Sequence, residues 1–211
     1  MSTSDPHAGQ PVEHRGTPLA DADRAVVLLH GRGARATGML QFADDLPGEG
    51  TAFVAPQAKR ATWYPEPFLR PTGENEPWFG SALGLVGDVL EDVTAHVPAE
   101  RVLVLGFSQG ACLGSEFVAR NPRRYGGFVA FSGGLHGPEG TTYDYDGSLE
   151  GTPVFLGCSD RDPHIPESRV HETRDVFEAM GADVTERIYE GMGHGVNEDE
   201  LAVAADLVAD L

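Results

Sequence analysis

Five short runs of β-branched and aliphatic residues set the tightest limit on how this chain can fold. They read AVVLLH (25–30), TAFVAP (51–56), RVLVLGF (101–107), GFVAFSG (127–133) and PVFLGCS (153–159). Each is apolar almost throughout, so neither face can be turned to water, which is the pattern of parallel strands covered on both sides. A sixth strand candidate is DVTERIYEG (183–191). Segments of helical period separate them. Leu83, Val86, Val89, Leu90 and Val93 recur at spacings of three and four, as do Val170, Thr173, Val176, Phe177 and Met180 before a stop at Gly181. The last segment opens with Asn197 and Glu200 in capping-box spacing and carries Leu201, Ala204, Val208 and Leu211 on one face. Strand and helix in alternation imply an α/β fold, a mostly parallel sheet with right-handed crossovers.

Residues 25–211 read as one domain, because no Pro/Ser/Gly-rich linker interrupts the apolar periodicity. Residues 1–24 are polar, with no apolar stretch long enough for a signal peptide or membrane helix, and read as a loosely attached arm on a cytoplasmic protein. Residues 57–80 break the alternation. They hold four prolines, both tryptophans, Tyr64, Phe68 and Phe79, and a connection so long and aromatic points to function.

The formal net charge is −18, and Lys59 is the only lysine. A surface this acidic repels nucleic acid and anionic membranes, and it suits a cytoplasm held at high salt, where self-repulsion is screened. Cys112 and Cys158 form no C-x-x-C pair and read as free buried thiols.

The chemistry-bearing pattern begins at Gly106-Phe107-Ser108-Gln109-Gly110, a G-x-S-x-G at the end of a predicted parallel strand with a helical pattern after it. In a nucleophile elbow the serine sits in a strained turn, and the flanking glycines let strand and helix approach closely. A serine hydroxyl is barely ionised at neutral pH and needs a base. His194, in GMGHGVN after the last strand, is the candidate, since glycines on both sides leave its ring free to enter a site. The base needs a carboxylate, and CSDRDPHIP offers Asp160 and Asp162. Asp162 is preferred because Pro163 holds it in extended geometry. An oxyanion hole requires backbone amides near the first βα turn. LLHGRGA fits, with the amide of Arg32 pairing with that of Gln109. Phosphate binding by that turn is disfavoured, because GRGARA is neither G-x-G-x-x-G nor a Walker sequence.

Together these segments resemble the phospholipase/carboxylesterase family of α/β hydrolases, which includes bacterial carboxylesterases and acyl-protein thioesterases. GFSQG matches its elbow, LLHGRGA is similar to its oxyanion segment, DPHIP to its acid loop and YEGMGH to its histidine loop. The resemblance runs from about Val26 to the C-terminus. It implies an α/β-hydrolase fold with helices on both faces and no large cap domain, cleaving carboxylic esters or thioesters without cofactor or metal. It assigns Ser108 as nucleophile, Asp162 as acid, His194 as base, and the amides of Arg32 and Gln109 to the oxyanion. Trp63, Tyr64, Phe68 and Trp78 are the candidate substrate contacts, and Arg32 and Arg70 are cations that could attract an acidic substrate. Residues 65–79 depart from the thioesterase pattern and put the substrate in question. Small esters, acyl-protein thioesters and lysophospholipids all fit, as does a non-catalytic binding protein on the same fold. The aromatics of 57–80 could also serve a homodimer contact.

Overall fold

The computed structural model describes residues 5–211. Its seven-stranded sheet is assembled from β1 (Val12–Gly16), β2 (Arg24–Leu29), β3 (Thr51–Pro56), β4 (Val102–Phe107), β5 (Gly127–Phe131), β6 (Pro153–Ser159) and β7 (Asp183–Tyr189) in the spatial order β1-β3-β2-β4-β5-β6-β7. β1 runs antiparallel to β3, and every other pairing is parallel.

Period-two alternation sends successive side chains of each strand to opposite faces. Ala25, Val27 and Leu29 of β2 pack with α2 (Trp78–Thr94), α3 (Gln109–Arg120) and α4 (Glu167–Ala179). Val26 and Leu28 pack on the other side with α1 (Ala36–Met39) and α5 (Glu198–Ala209). Both faces are therefore covered, which is why the central strands have no polar face. β7 closes one edge, and its exposure alternates along the strand as expected of a sheet margin. Asn197 caps α5 as the spacing predicts: its side chain accepts from the Glu200 amide at 2.9 Å, and the Glu200 carboxylate accepts from the Asn197 amide at 2.8 Å.

Two expectations change. Residues 1–4 lie outside the described residues, but the rest of the predicted loose arm is built into the fold. Residues 12–16 form β1, in register with Pro56 to Ala52. His7 is buried; its Nδ1 accepts from the Lys59 amide at 3.1 Å and its Nε2 donates to the Trp63 carbonyl at 2.9 Å. Polarity hid this docking, because the arm is held largely by backbone pairing and by polar contacts of Asp5, His7 and Arg15, with only the scattered Val12, Leu19 and Ala22 packed against the core. The aromatic connection is also shorter than predicted, since α2 begins at Trp78, and short 3-10 turns at Lys59–Ala61 and Thr72–Asn75 interrupt what precedes it.

Three buried histidines face partners that fix them as neutral rings. His30 Nε2 accepts from the Ala58 amide at 3.0 Å while Nδ1 donates to the Gly31 carbonyl at 2.8 Å. His136 stands against the Asn75 side-chain amide at 3.0 Å, and burial, reinforced by Arg120 and Arg169, lowers its pKa to about 4. Burial likewise lowers His7 and His30. The unfolded chain then binds protons that the folded chain refuses, so stability is held above pH ~6.5 and lost as pH falls toward 4. In urea titrations, the advantage of wild type over His136→Gln should shrink across that window by up to about 1.4 kcal/mol per pH unit.

Candidate active site

Ser108 stands between β4 and α3 with φ 55° and ψ −120°, a backbone region costly for any residue with a side chain. The glycines around it explain how the turn is tolerated. A Cβ at Gly106 would lie 2.5 Å from the Gly110 carbonyl oxygen, and one at Gly110 would lie 2.1 Å from the Leu29 carbonyl oxygen. The helix thus leaves the sheet in direct backbone contact with two strands, and only hydrogen fits at these positions.

The three residues at the ends of β4, β6 and β7 meet in one hydrogen-bonded chain. Ser108 Oγ is 2.9 Å from His194 Nε2, and His194 Nδ1 is 2.7 Å from Asp162 Oδ2. The loop that carries His194 turns on Gly191 and Gly193, with φ of +67° and +78°. It is tied to β6 by the Gly193 amide, which donates to Ser159 Oγ at 3.0 Å. Asp160 is part of the same tie, accepting from the Gly191 amide at 2.7 Å, so of the two aspartates only Asp162 reaches the imidazole.

The Asp162 side chain is fully buried. Its second oxygen accepts from the amides of His164 and Ile165 at 2.8 and 3.0 Å. Burial alone would raise this carboxyl, but the bonds from His194, His164 and Ile165 outweigh it and hold the group below its ordinary value. The His194 ring is wedged between Phe107 and His164, with ring centroids 5.1 and 4.8 Å away.

A cavity of about 480 Å³ opens over Ser108 and His194. Tyr64, Pro65, Pro67 and Phe68 build one wall, and His164 and Ile165 stand at the other. Despite the chain's net charge of −18, no carboxylate among the described residues lines it. The turn carrying Arg32 packs against the elbow: a Cβ at Gly31 would lie 3.4 Å from Ser108 Cβ. The Arg32 amide donates to no protein acceptor among the described residues, and the Gln109 amide, at the start of α3, has no intrahelical acceptor.

Of the four aromatic residues expected to meet substrate, Tyr64 and Phe68 line the cavity and Trp63 and Trp78 do not. Trp63 is fully buried behind the wall, its indole donating to the His30 carbonyl at 2.7 Å. Trp78 packs against His7, ring centroids 5.4 Å apart, where the N-terminal segment docks. Of the two arginines, Arg32 is among the residues lining the cavity and Arg70 is not. Arg32 spends its guanidinium on the carbonyls of Tyr64, Pro65 and Glu66, and Arg70 pairs with Glu74 at 2.9 Å.

Sequence reasoning passed over the side chain of Gln109, which grips the 63–64 backbone, and Ile165, which lines the cavity. Ile165 had a signal, its place in DPHIP directly after the acid; the Gln109 contact had none, because its partners lie 45 and 46 residues away. Glu200 was legible only as a cap. Its carboxyl is fully buried against Gly157 of β6, with one oxygen unpartnered among the described residues, and burial pushes its pKa up to about 7.

Sheet, elbow and the chain of three side chains define an α/β hydrolase. Within that class the chain belongs to the phospholipase/carboxylesterase family, whose model matches residues 16–210. A phospholipase/carboxylesterase from Dyadobacter fermentans superposes with a TM-score of 0.91 at 40% identity, over 95% of this chain and 97% of that one. The esterase PE8 gives 0.74 at 26% identity, over 95% and 97%. Acyl-protein thioesterase 1 of Saccharomyces cerevisiae is 24% identical over 90% of this chain and 93% of its own. The same enzyme of Debaryomyces hansenii is 30% identical over 58% of this chain, a match spanning 54% of that relative's length. Among the described residues no helix is long and apolar enough to cross a membrane.

Glu200 yields a pH prediction of the opposite sign to His136. A carboxyl whose folded pKa is raised keeps its proton longer in the folded chain, so its contribution is present below pH ~4.5 and is lost as pH rises toward 7. The stability of wild type relative to Glu200→Gln, followed by chemical denaturation, should decline between pH ~4.5 and ~7 and level off above.

Proposed function

We propose that the protein is a serine hydrolase that cleaves carboxylic esters of small to medium acyl chains through an acyl-enzyme on Ser108. The observation that carries this reading is the continuous hydrogen-bonded chain from Ser108 Oγ through His194 to the buried Asp162 carboxylate. His194 Nε2 takes the hydroxyl proton as Oγ attacks the acyl carbon, and Asp162 stabilises the imidazolium that forms. The backbone amides of Arg32 and Gln109, both without a protein acceptor among the described residues, receive the oxyanion. Collapse of the tetrahedral intermediate breaks the acyl–oxygen or acyl–sulfur bond, with the proton returning from His194 to the leaving group. Water then repeats the sequence on the acyl-enzyme and frees Ser108.

The wall of Tyr64, Pro65, Pro67 and Phe68 offers the acyl group an apolar surface. Thioester cleavage is the second reading, favoured by the relatives named acyl-protein thioesterase, and the same groups would perform it with a thiol, protonated by His194, as the leaving group.

Ser108→Ala and His194→Ala should each lower kcat on 4-nitrophenyl butyrate by a factor on the order of 10⁴ or more. A fluorophosphonate should label wild type and leave Ser108→Ala unlabelled; wild-type turnover by Ser108→Ala would overturn the assignment, and an unlabelled wild type would favour the non-catalytic binding protein. Substrates of two to sixteen acyl carbons, presented as oxygen esters and as thioesters, separate the two readings. The esterase reading requires kcat/KM to peak at short to medium chains and to be no greater for the thioester of the same acyl group.

A further inference from the structure

We propose that the side chains of Arg32 and Gln109 are positioning residues that use the 63–66 backbone as a shared brace, fixing the spacing of their own backbone amides at the oxyanion site. This rests on the proposed role of those amides. The two amides belong to separate elements, one to the turn after β2 and the other to the first residue of α3. Strand pairing fixes Leu29 opposite Gly106 and stops there, so residues 30–33 have no ladder of their own. Their alignment needs another support.

Residues 58–66 supply it. Tyr64 O accepts from Gln109 Nε2 at 2.8 Å and from Arg32 Nη2 at 2.9 Å, so one carbonyl joins the two residues. Gln109 Oε1 accepts from the Trp63 amide at 3.0 Å, which fixes the orientation of its side-chain amide. The Arg32 guanidinium continues to Pro65 O at 2.7 Å and Glu66 O at 3.1 Å. From the same stretch the Ala61 carbonyl accepts from the Gly33 amide at 2.7 Å. Arg60 and Ala61 hold positive φ of 54° and 55° there, strain that persists only where surrounding contacts over-determine a segment.

An arginine can satisfy three convergent carbonyls because its donors form a rigid planar fork, and lysine has no such geometry. The brace also carries Tyr64 and Pro65 of the cavity wall. Acyl groups that press on the wall therefore disturb the oxyanion amides, and acyl selectivity enters through kcat.

The test uses Arg32→Lys, Gln109→Glu and the double variant, with active sites counted by fluorophosphonate titration. Glutamate at 109 still accepts from the Trp63 amide but cannot donate to Tyr64 O. For each single variant kcat on 4-nitrophenyl butyrate should fall by a factor on the order of 10 to 10², with KM within about threefold, because the loss falls on the charged intermediate. Affinity for phenylboronic acid, which becomes tetrahedral on a nucleophilic serine, should fall by a similar factor. The double variant should lose less than the product of the singles, since both bonds end on one carbonyl. Unchanged kcat and boronate affinity, a rise in KM alone, or full additivity in the double variant would each overturn the brace. If Gln109→Glu does not fold, Arg32→Lys, whose side chain is on the exposed side, decides by the kcat and boronate readings. Catalysis that survives Ser108→Ala would instead remove the hydrolase reading itself, so the two failures are distinguishable.

Discussion

The backbone contact between Gly110 and the carbonyls of Leu29 and His30 is the constraint on which the site depends. A Cβ there would sit 2.1 and 2.7 Å from those two oxygens, so α3 can start where it does only because residue 110 has none. That start sets Ser108 on its strained turn and aims the Gln109 amide outward from the helix end. It also brings the β2 turn near enough for Gly31 to pack on Ser108. Close packing transmits such a constraint without slack, since protein interiors are as dense as organic crystals.

Around that contact the fold divides the work between rigid and adaptable parts. The ends of β4, β6 and β7 present Ser108, Asp162 and His194, each on a loop tied back by backbone donors or acceptors. The segment from 57 to 77 is different in kind. It has no strand to pair with and little regular structure, and it is held by side chains from elsewhere: His7, His30, Arg32 and Gln109. The connection that shapes the cavity wall is therefore placed jointly by these polar contacts and by the burial of Ala58, Trp63, Tyr64 and Phe68 in the core. A buried hydrogen bond contributes only about 1 kcal/mol net, but a buried partner left unpaired costs more, which makes such a set mutually reinforcing.

The legibility of the sequence follows the same division. The parallel strands were readable because burial on both faces leaves continuous apolar runs, and the cap of α5 because Asn197 and Glu200 lie within one turn. β1 was not readable as a strand, since VEHRG has neither an apolar run nor a buried face, and its pairing with β3 is a property of backbone groups that every sequence carries. Trp63 and Trp78 were readable as aromatic and not as placed: one points behind the wall to His30, the other to His7, and no local pattern distinguishes those directions from the cavity.

The sequence by itself determined the α/β order, the elbow glycines and the presence of a serine, an aspartate and a histidine each on a loop that follows a strand, because those depend on local spacing and on steric rules that act within a few residues. Only the tertiary structure decided that Asp162, already preferred through Pro163, reaches His194 while Asp160 ties the Gly191 amide, that the N-terminal segment docks, and that Arg32 and Gln109 share the Tyr64 carbonyl. Each of these joins residues about thirty or more positions apart, and closing such distances is set by the whole sheet and its packing rather than by any one stretch of chain.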